Sequence, residues 1–156
     1  MLGLIARTRT LIYTVARKLT WLPPTAARLT LGWIFLQSGW GKLHNIQKVI
    51  EFFASLGIPA PEIQARLSAT TELVCGVLLL LGLLTRLAIL PLIVVMTVAI
   101  LTEKRGDINE LSDLFGMSEY LYIALLLWLG AYGAGPASLD RIFAKRLDAP
   151  PASRAG

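Results

Sequence analysis

Glu72 is the residue of this 156-residue chain whose type and position most strongly suggest chemistry, because it stands inside an apolar stretch. In hydrocarbon surroundings a charged, unpaired carboxylate is costly. The side chain should therefore face the interior of a helix bundle, pair with a base or stay protonated. An acid that only holds a neighbouring helix fits the same position, since buried ion pairs frequently serve architecture alone.

A stripe of basic and small residues precedes Glu72 and offers it partners. Its members recur at intervals of four and three residues, which places them on one face of a helix: Arg28, Gly32, Phe35, Gly39 and Lys42. Small residues at this spacing let a second helix approach closely, and plain packing explains the glycines well. Close packing would also bring Glu72 against a basic end of the stripe.

Lys42 is the expected base. If the two apolar stretches are antiparallel, a rise of ~1.5 Å per residue places Glu72 level with about residues 37–38, about 7–8 Å below the outer edge of the hydrocarbon. Arg28 is then on the order of 10–15 Å away along the membrane normal. Lys42 can extend its long stem toward the acid. The predicted pocket near the outer face consists of Gln37, Trp40, Lys42, His44 and Glu72.

Such a pocket has the ingredients of a site for a quinone head group. A quinone needs donors to its two carbonyl oxygens, groups that exchange protons, and apolar walls. In this interpretation Glu72 and His44 move protons, Lys42 stabilises the reduced oxygen, and Gln37 and Trp40 complete the binding site. Histidine suits proton exchange near neutral pH. A histidine or tryptophan at the end of a membrane helix is also a common interfacial anchor, so this explanation stays open.

The composition identifies the elements that must position these residues. Hydrophobic residues make up 55% of the chain and charged residues 16%, and the mean hydropathy is +0.64. Soluble domains carry about 25% charged residues, so the chain belongs in a membrane. Four apolar stretches cover residues 23–41, 67–84, 87–101 and 120–134. A span needs roughly 20 such residues, with about 17 tolerated, so the last two are credible when packed in a bundle.

The predicted fold is all-α: an integral membrane four-helix bundle over residues 22–143. A basic amphipathic segment, residues 1–21, precedes the bundle, and a tail over residues 144–156 follows it. Apolar residues at helical spacing in 46–56, followed by the turn signals of 57–61, predict a short interfacial helix between the first two spans.

Two further connections differ in character. Only Thr85 and Arg86 separate the second and third apolar stretches, which predicts a tight antiparallel pair. The connection over residues 103–119 carries five acids against two bases and forms a net acidic outer loop. The acids of this loop match no calcium-binding pattern, so no metal site is expected.

The distribution of bases predicts the orientation. Nine Lys and Arg residues lie on the side of the two termini and five on the opposite side. The positive-inside rule then places both termini in the cytoplasm of a bacterial inner membrane, with several passes through the bilayer. The net charge of +5 is explained by these basic ends, so nucleic acid is not an expected partner.

One cysteine, Cys75, and one histidine, His44, exclude several kinds of redox centre within a single chain. An internal disulfide, a dithiol relay, a thiolate-held iron–sulfur cluster, an all-protein zinc site and a bis-histidine haem each need more ligands. Redox chemistry would therefore need an organic cofactor, a partner subunit or a homo-oligomeric site.

Four blocks of sequence carry a resemblance to a known family: RLTLGWIFLQSGWGKL (28–43), FFASLGIPAP (52–61), ATTELVCGVLLLLGLLTRLAILPL (69–92) and GAGPASLDRI (133–142). Together they resemble the DoxX family of small four-helix bacterial membrane proteins. The matching motif positions are Arg28, Gly39, Lys42, Leu56, Gly57, Pro59, Glu72, Gly76, Gly82, Thr85, Arg86 and Asp140. The family takes its name from a subunit of an archaeal thiosulfate:quinone oxidoreductase, so the resemblance implies a redox-associated role.

Three hypotheses follow from these observations. The first is an integral membrane subunit of a quinone-linked oxidoreductase, with a quinone as cofactor and a redox protein as partner. The alternative is a noncatalytic scaffold or assembly partner that recruits a soluble protein through the acidic outer loop. A third is a small transporter with Glu72 as proton relay, which needs a homo-oligomer because four short helices leave little room for alternating access.

Overall fold

A computed structural model describes residues 9, 13, 17–108, 110–135 and 138–140, and the regular structure of these residues is helical, as predicted. The helices that lie wholly within the described residues are α1 (Leu22–His44), α2 (Ile46–Ser55), α3 (Pro61–Leu81), α4 (Thr85–Thr102), α5 (Leu111–Gly116) and α6 (Ser118–Tyr132). A single 3-10 turn, Arg105–Asp107, separates α4 from α5. Most of the predicted N-terminal segment and all of the predicted tail lie outside the described residues.

Two of the described helices, α3 and α4, are long and apolar enough to cross a membrane. Helix α3 has 21 residues and α4 has 18. Helix α6 has 15 residues, which is below the roughly 17 residues that a span requires. The all-α fold is therefore observed, with two candidate spans, whereas a four-span bundle stays a prediction.

The start of α3 differs from the predicted one and changes the position of Glu72. Pro61 occupies the first turn of α3, six residues before the predicted apolar stretch, and Gly57 and Ala60 in the preceding turn have positive φ angles of 71° and 50°. Proline suits this position because the first N–H groups of a helix need no intrahelical acceptor. Glu72 consequently lies near the middle of α3, about 16 Å along its axis at ~1.5 Å per residue.

The turn between α3 and α4 consists of Gly82, Leu83 and Leu84. The prediction that Thr85 and Arg86 separate the two helices is therefore wrong. Thr85 and Arg86 form the first turn of α4 instead. Gly82 and Leu84 both adopt left-handed backbone conformations, with φ of 65° and 49°. These two residues reverse the chain within three positions, and the tight pairing of the two helices is retained.

Helices α1 and α3 form the closest pair in the structure, α2 packs on α3, and α4 packs on α6. A Cβ atom added at Gly39 would lie closer than 3.0 Å to the backbone of Leu73, and one at Gly76 would meet the backbone of Leu36 equally closely. The two helix backbones are therefore in contact, as the glycine stripe predicts. The largest fully buried apolar side chains are Leu31, Phe35, Leu79, Leu92, Leu126 and Leu129.

Candidate functional site

Lys42 and Glu72 form a direct ion pair between α1 and α3. The Lys42 ammonium Nζ donates to Glu72 Oε1 at 2.5 Å. The Glu72 side chain is fully buried, with 0% of its surface exposed, whereas the Lys42 side chain is 31% exposed. The predicted pairing is therefore present. Its acid is enclosed by protein, whereas its base, Lys42, is partly accessible from outside.

Two serines complete the hydrogen bonding of the Glu72 carboxylate. Ser38 Oγ of α1 donates to Oε2 at 2.7 Å, and Ser68 Oγ of α3 donates to Oε1 at 3.3 Å. Each carboxylate oxygen therefore has at least one donor. A buried ionised carboxylate is tolerated when it is both paired and hydrogen-bonded in this way.

The four polar residues reach one another because each helix contributes a pair at a spacing of four residues. Ser38 and Lys42 lie one turn apart on α1, and Ser68 and Glu72 lie one turn apart on α3. Residues at this spacing share a helix face. Gly39, next to Ser38, allows the close helix contact that brings the two faces together. Sequence reasoning placed position 38 level with Glu72 but assigned neither serine to the site, although the spacing of four could have identified both.

A cavity of about 240 Å³ adjoins this cluster. Lys42, Ser68 and Glu72 provide part of its lining. The other walls are largely apolar and come from α2, the following turn, α3 and α4, among them Val49, Phe52, Phe53, Val95, Met96 and Ala99. The arrangement places one cation and one buried carboxylate beside a space with hydrocarbon walls.

The remaining residues of the predicted pocket lie on another face of α1. Gln37, Trp40 and His44 are exposed, and none of the three lines the cavity. The rings of Trp40 and His44 pack against each other with their centroids 4.8 Å apart. The cavity therefore differs in composition from the predicted pocket, since it includes Lys42 and Glu72 but leaves the other three outside.

A second polar cluster lies at the opposite end of the α1–α3 pair. Arg28 is buried, and its Nη1 donates to the carbonyl oxygen of Ala134 at 3.3 Å. The Asp140 carboxylate accepts the backbone N–H groups of Leu84 at 2.6 Å and Thr85 at 3.0 Å. This cluster holds the turn between α3 and α4, the start of α1 and the segment after α6 together. Arg86, in the first turn of α4, is exposed.

Several acids of the connection after α4 make contacts with other residues of the same connection. The backbone N–H of Glu110 donates to Asp113 Oδ2 at 3.0 Å, and these two acids form a capping box at the start of α5. Glu103 lies 3.7 Å from Lys104. Within the described residues, no group of three histidines, cysteines or acids is placed to hold a metal ion.

Comparison with known proteins finds a family model that covers the cluster around Lys42 and Glu72. The family model described as DoxX matches residues 23–105, which include all four residues of the Lys42–Glu72 cluster. A protein of Mycobacterium tuberculosis (strain ATCC 25618 / H37Rv) named "Uncharacterized membrane protein Rv3486" is 38% identical over 143 residues. The match covers 81% of this chain and 86% of that relative.

A second relative carries a name that indicates an activity class. The "Putative oxidoreductase CatD" of Bacillus subtilis (strain 168) is 32% identical over 99 residues, which cover 64% of this chain and 69% of the relative. No solved structure matches the chain.

Proposed function

The chain belongs to the DoxX family of membrane proteins, and on this premise we propose that it is a membrane subunit associated with a quinone-linked oxidoreductase. The quinone head group is assigned to the cavity beside Lys42 and Glu72. The name of the Bacillus subtilis relative supports the oxidoreductase class. A redox protein that delivers electrons at the same membrane is the partner that this role requires.

The observation that carries the proposal is that a buried ion pair forms part of the wall of an apolar cavity. An ion pair that serves architecture alone does not require an adjacent cavity, because its two charges and their further hydrogen bonds satisfy one another. Pockets for small organic ligands have the combination seen here, with apolar walls and a few placed polar groups.

The residues of the cavity fit a quinone ring. When bound, a quinone accepts two electrons and two protons at its carbonyl oxygens. The Lys42 ammonium has three N–H donors, one of which is directed at Glu72, so a second can bind a carbonyl oxygen in the cavity. Phe52, Phe53 and Met96 offer flat and polarisable surfaces for the ring.

Proton movement follows from the contacts of the pair. Lys42 Nζ holds a proton beside the cavity, and Glu72 Oε1 lies within hydrogen-bond distance of that nitrogen. A proton given up by Lys42 is replaced from water, because the Lys42 side chain is 31% exposed. The Glu72 carboxylate favours the return of that proton to the nitrogen, and Ser38 keeps the carboxylate oriented through the other oxygen. In the proposal His44, exposed at the end of α1, exchanges protons with water at the same end of the molecule.

The proposal includes an orientation. With both termini in the cytoplasm of a bacterial inner membrane, the Lys42 end of α1 lies at the outer face. The quinone site is then reached from the outer half of the bilayer, and the redox partner docks on that side.

Quinone binding to the purified protein in detergent micelles tests the proposal. The wild-type protein should bind a tritiated quinone, and Glu72→Gln should weaken that affinity by about tenfold, equivalent to about 1.4 kcal/mol of binding free energy. Glu62→Gln is the matched control because Glu62 lies on the same helix and is exposed. Undiminished affinity in Glu72→Gln, or no binding by the wild type, would refute the assignment and leave the ion pair with an architectural role.

A second pair of variants tests the cation. Lys42→Met removes the donor but keeps most of the length of the side chain, so quinone affinity should fall at least as far as in Glu72→Gln. Lys48→Met, at an exposed position of α2, should leave the affinity unchanged. Equal losses in the two lysine variants would show that the quinone responds to net charge and not to Lys42.

A further inference from the structure

The volume of the cavity limits which part of a ligand it can hold. At about 240 Å³ it is smaller than the about 300–1,000 Å³ that is typical of pockets for drug-sized ligands. A single substituted ring fits this volume, whereas a ring with a long hydrocarbon chain does not. A ligand with such a chain must therefore place the chain outside the cavity.

The opening of the cavity has an apolar rim. Four of its lining residues are at the same time large, exposed apolar side chains: Leu67 (62%), Val94 (61%), Val98 (44%) and Phe52 (42%). The first three belong to α3 and α4, the two helices that are long and apolar enough to cross a membrane. Exposed apolar side chains on such helices face lipid in a membrane protein. The side of the cavity that lies between α3 and α4 therefore opens toward the bilayer.

A second end of the cavity has a different character. Gln64, Thr102 and Glu103 line it near the first turns of α3 and the last turn of α4. Polar side chains at helix ends suit contact with water or lipid head groups. An apolar chain is favoured on the hydrocarbon side and disfavoured at this polar end.

We infer that the site takes a quinone with a long apolar chain, whose ring lies beside Lys42 and whose chain leaves between α3 and α4 across Leu67, Val94 and Val98. This inference rests on the proposed function, because it assigns a quinone ring to the cavity. It specifies the ligand class, which is a lipid-soluble quinone and not a short-chain quinone taken up from water. It also specifies the route by which that ligand enters from the bilayer.

Tryptophan substitutions at the rim should distinguish the contribution of the chain to affinity from that of the ring. The probes are tritiated dimethoxy-methyl-benzoquinone with a decyl chain and the same ring without the chain, each bound to the full-length protein in micelles of one composition. For each probe the ratio of variant to wild-type affinity is compared, since partition of the probe into micelles cancels in that ratio. Val98→Trp should reduce affinity for the decyl probe by about tenfold and change affinity for the bare ring by less than about twofold.

Two further variants complete the experiment. Leu67→Trp narrows the gap from the opposite helix and should reproduce the effect, so the test stands even if Val98→Trp does not fold. Leu90→Trp is the matched control, since Leu90 is exposed on α4 but does not line the cavity. It should change neither affinity.

The outcomes distinguish the two proposals. If the wild type binds neither probe, the proposed function fails and this inference fails with it. If the wild type binds both probes and the rim variants leave the decyl affinity unchanged, or weaken both probes equally, the quinone site stands and the chain route is wrong. Selective loss of the decyl probe in both rim variants, with Leu90→Trp unaffected, supports the route.

Discussion

The two ends of the α1–α3 pair both contain buried charge, but the partners of that charge differ in kind. At the Lys42 end, the Glu72 carboxylate is bonded to the side chains of Lys42, Ser38 and Ser68. At the Arg28 end, hydrogen bonds of Arg28 and Asp140 reach backbone groups of residues distant in sequence, and the two side chains also attract each other electrostatically. Side-chain partners can move or change protonation while the helices stay in place, whereas backbone partners cannot leave without a change of chain path.

This difference indicates which end maintains the fold and which end can carry chemistry. Asp140 accepts the first N–H groups of α4, which have no acceptor within the helix, and its negative charge suits the positive end of the helix dipole. Substitutions at the Arg28 end should therefore lower stability and leave ligand affinity unchanged. Substitutions at the Lys42 end should lower affinity, with a stability effect that depends on which charge is left behind.

The largest effect is expected from that asymmetry within the ion pair. Lys42→Met leaves a fully buried carboxylate without its cation, and losing one partner of a buried pair costs about 3–5 kcal/mol. Glu72→Gln should cost about half as much, because Lys42 is partly exposed and can turn its ammonium toward water. Unfolding free energies of the two variants in one detergent measure the difference. Equal losses would show that exposure of Lys42 does not relieve its charge.

Gly82 provides the next largest test, now at the Arg28 end. Its φ is 65°, and an added Cβ would overlap the guanidinium of Arg28. Gly82→Ala should therefore lower stability by about 3 kcal/mol through backbone strain and displacement of Arg28. Gly57→Ala is the control, since Gly57 has a similar φ of 71° and open space at its Cβ, so about 1 kcal/mol from strain alone is expected.

Thermal unfolding of the two glycine variants measures the contribution of packing around Arg28 as the difference between them. Quinone affinity, corrected for the folded fraction, should be unchanged in both. A selective loss of affinity in Gly82→Ala would show that the two ends are coupled through α1 and α3.

Asp140→Asn should have a smaller effect at the same end. The amide keeps one acceptor oxygen but loses the charge and the second acceptor for the N–H groups of Leu84 and Thr85. A loss of about 1–2 kcal/mol is expected for hydrogen bonds to a charged group. Asp107→Asn, at an exposed position, serves as the control in the same melting experiment. Similar melting temperatures for the two variants would argue against a role of Asp140 in holding the turn.

The Lys42–Glu72 pair could be predicted from sequence because it depends on two local regularities. A stripe at helical spacing selects the face of α1, and the antiparallel order of two neighbouring helices sets the level at which residues meet. The same helical period explains why the other three residues of the predicted pocket do not lie on the face of α1 that contacts α3. Positions 37, 40 and 44 lie on one side of α1 and positions 38 and 42 on another, so Gln37, Trp40 and His44 turn away from α3.

Other features depend on contacts that local sequence does not determine. The polar residues Glu62, Gln64 and Arg66 made the apolar stretch begin at residue 67, although the helix begins at Pro61. The acceptor role of Asp140 joins residues 55 and 56 positions apart. The cavity walls depend on how α2 docks on α3, which follows from tertiary packing and not from helix propensity.

The smallest expected effects come from the two serines, and they sharpen the comparison within the Lys42 end itself. Ser38 makes the shorter bond to Glu72 but does not line the cavity, whereas Ser68 makes the longer bond and does. Ser38→Ala should therefore cost about 1 kcal/mol of stability, and Ser68→Ala about 0.5 kcal/mol, from loss of one hydrogen bond to a buried carboxylate. Quinone affinity should fall further in Ser68→Ala. The opposite order of affinities would mean that the orientation of Glu72 matters more for the ligand than the wall of the cavity, because Ser38 acts only through the carboxylate.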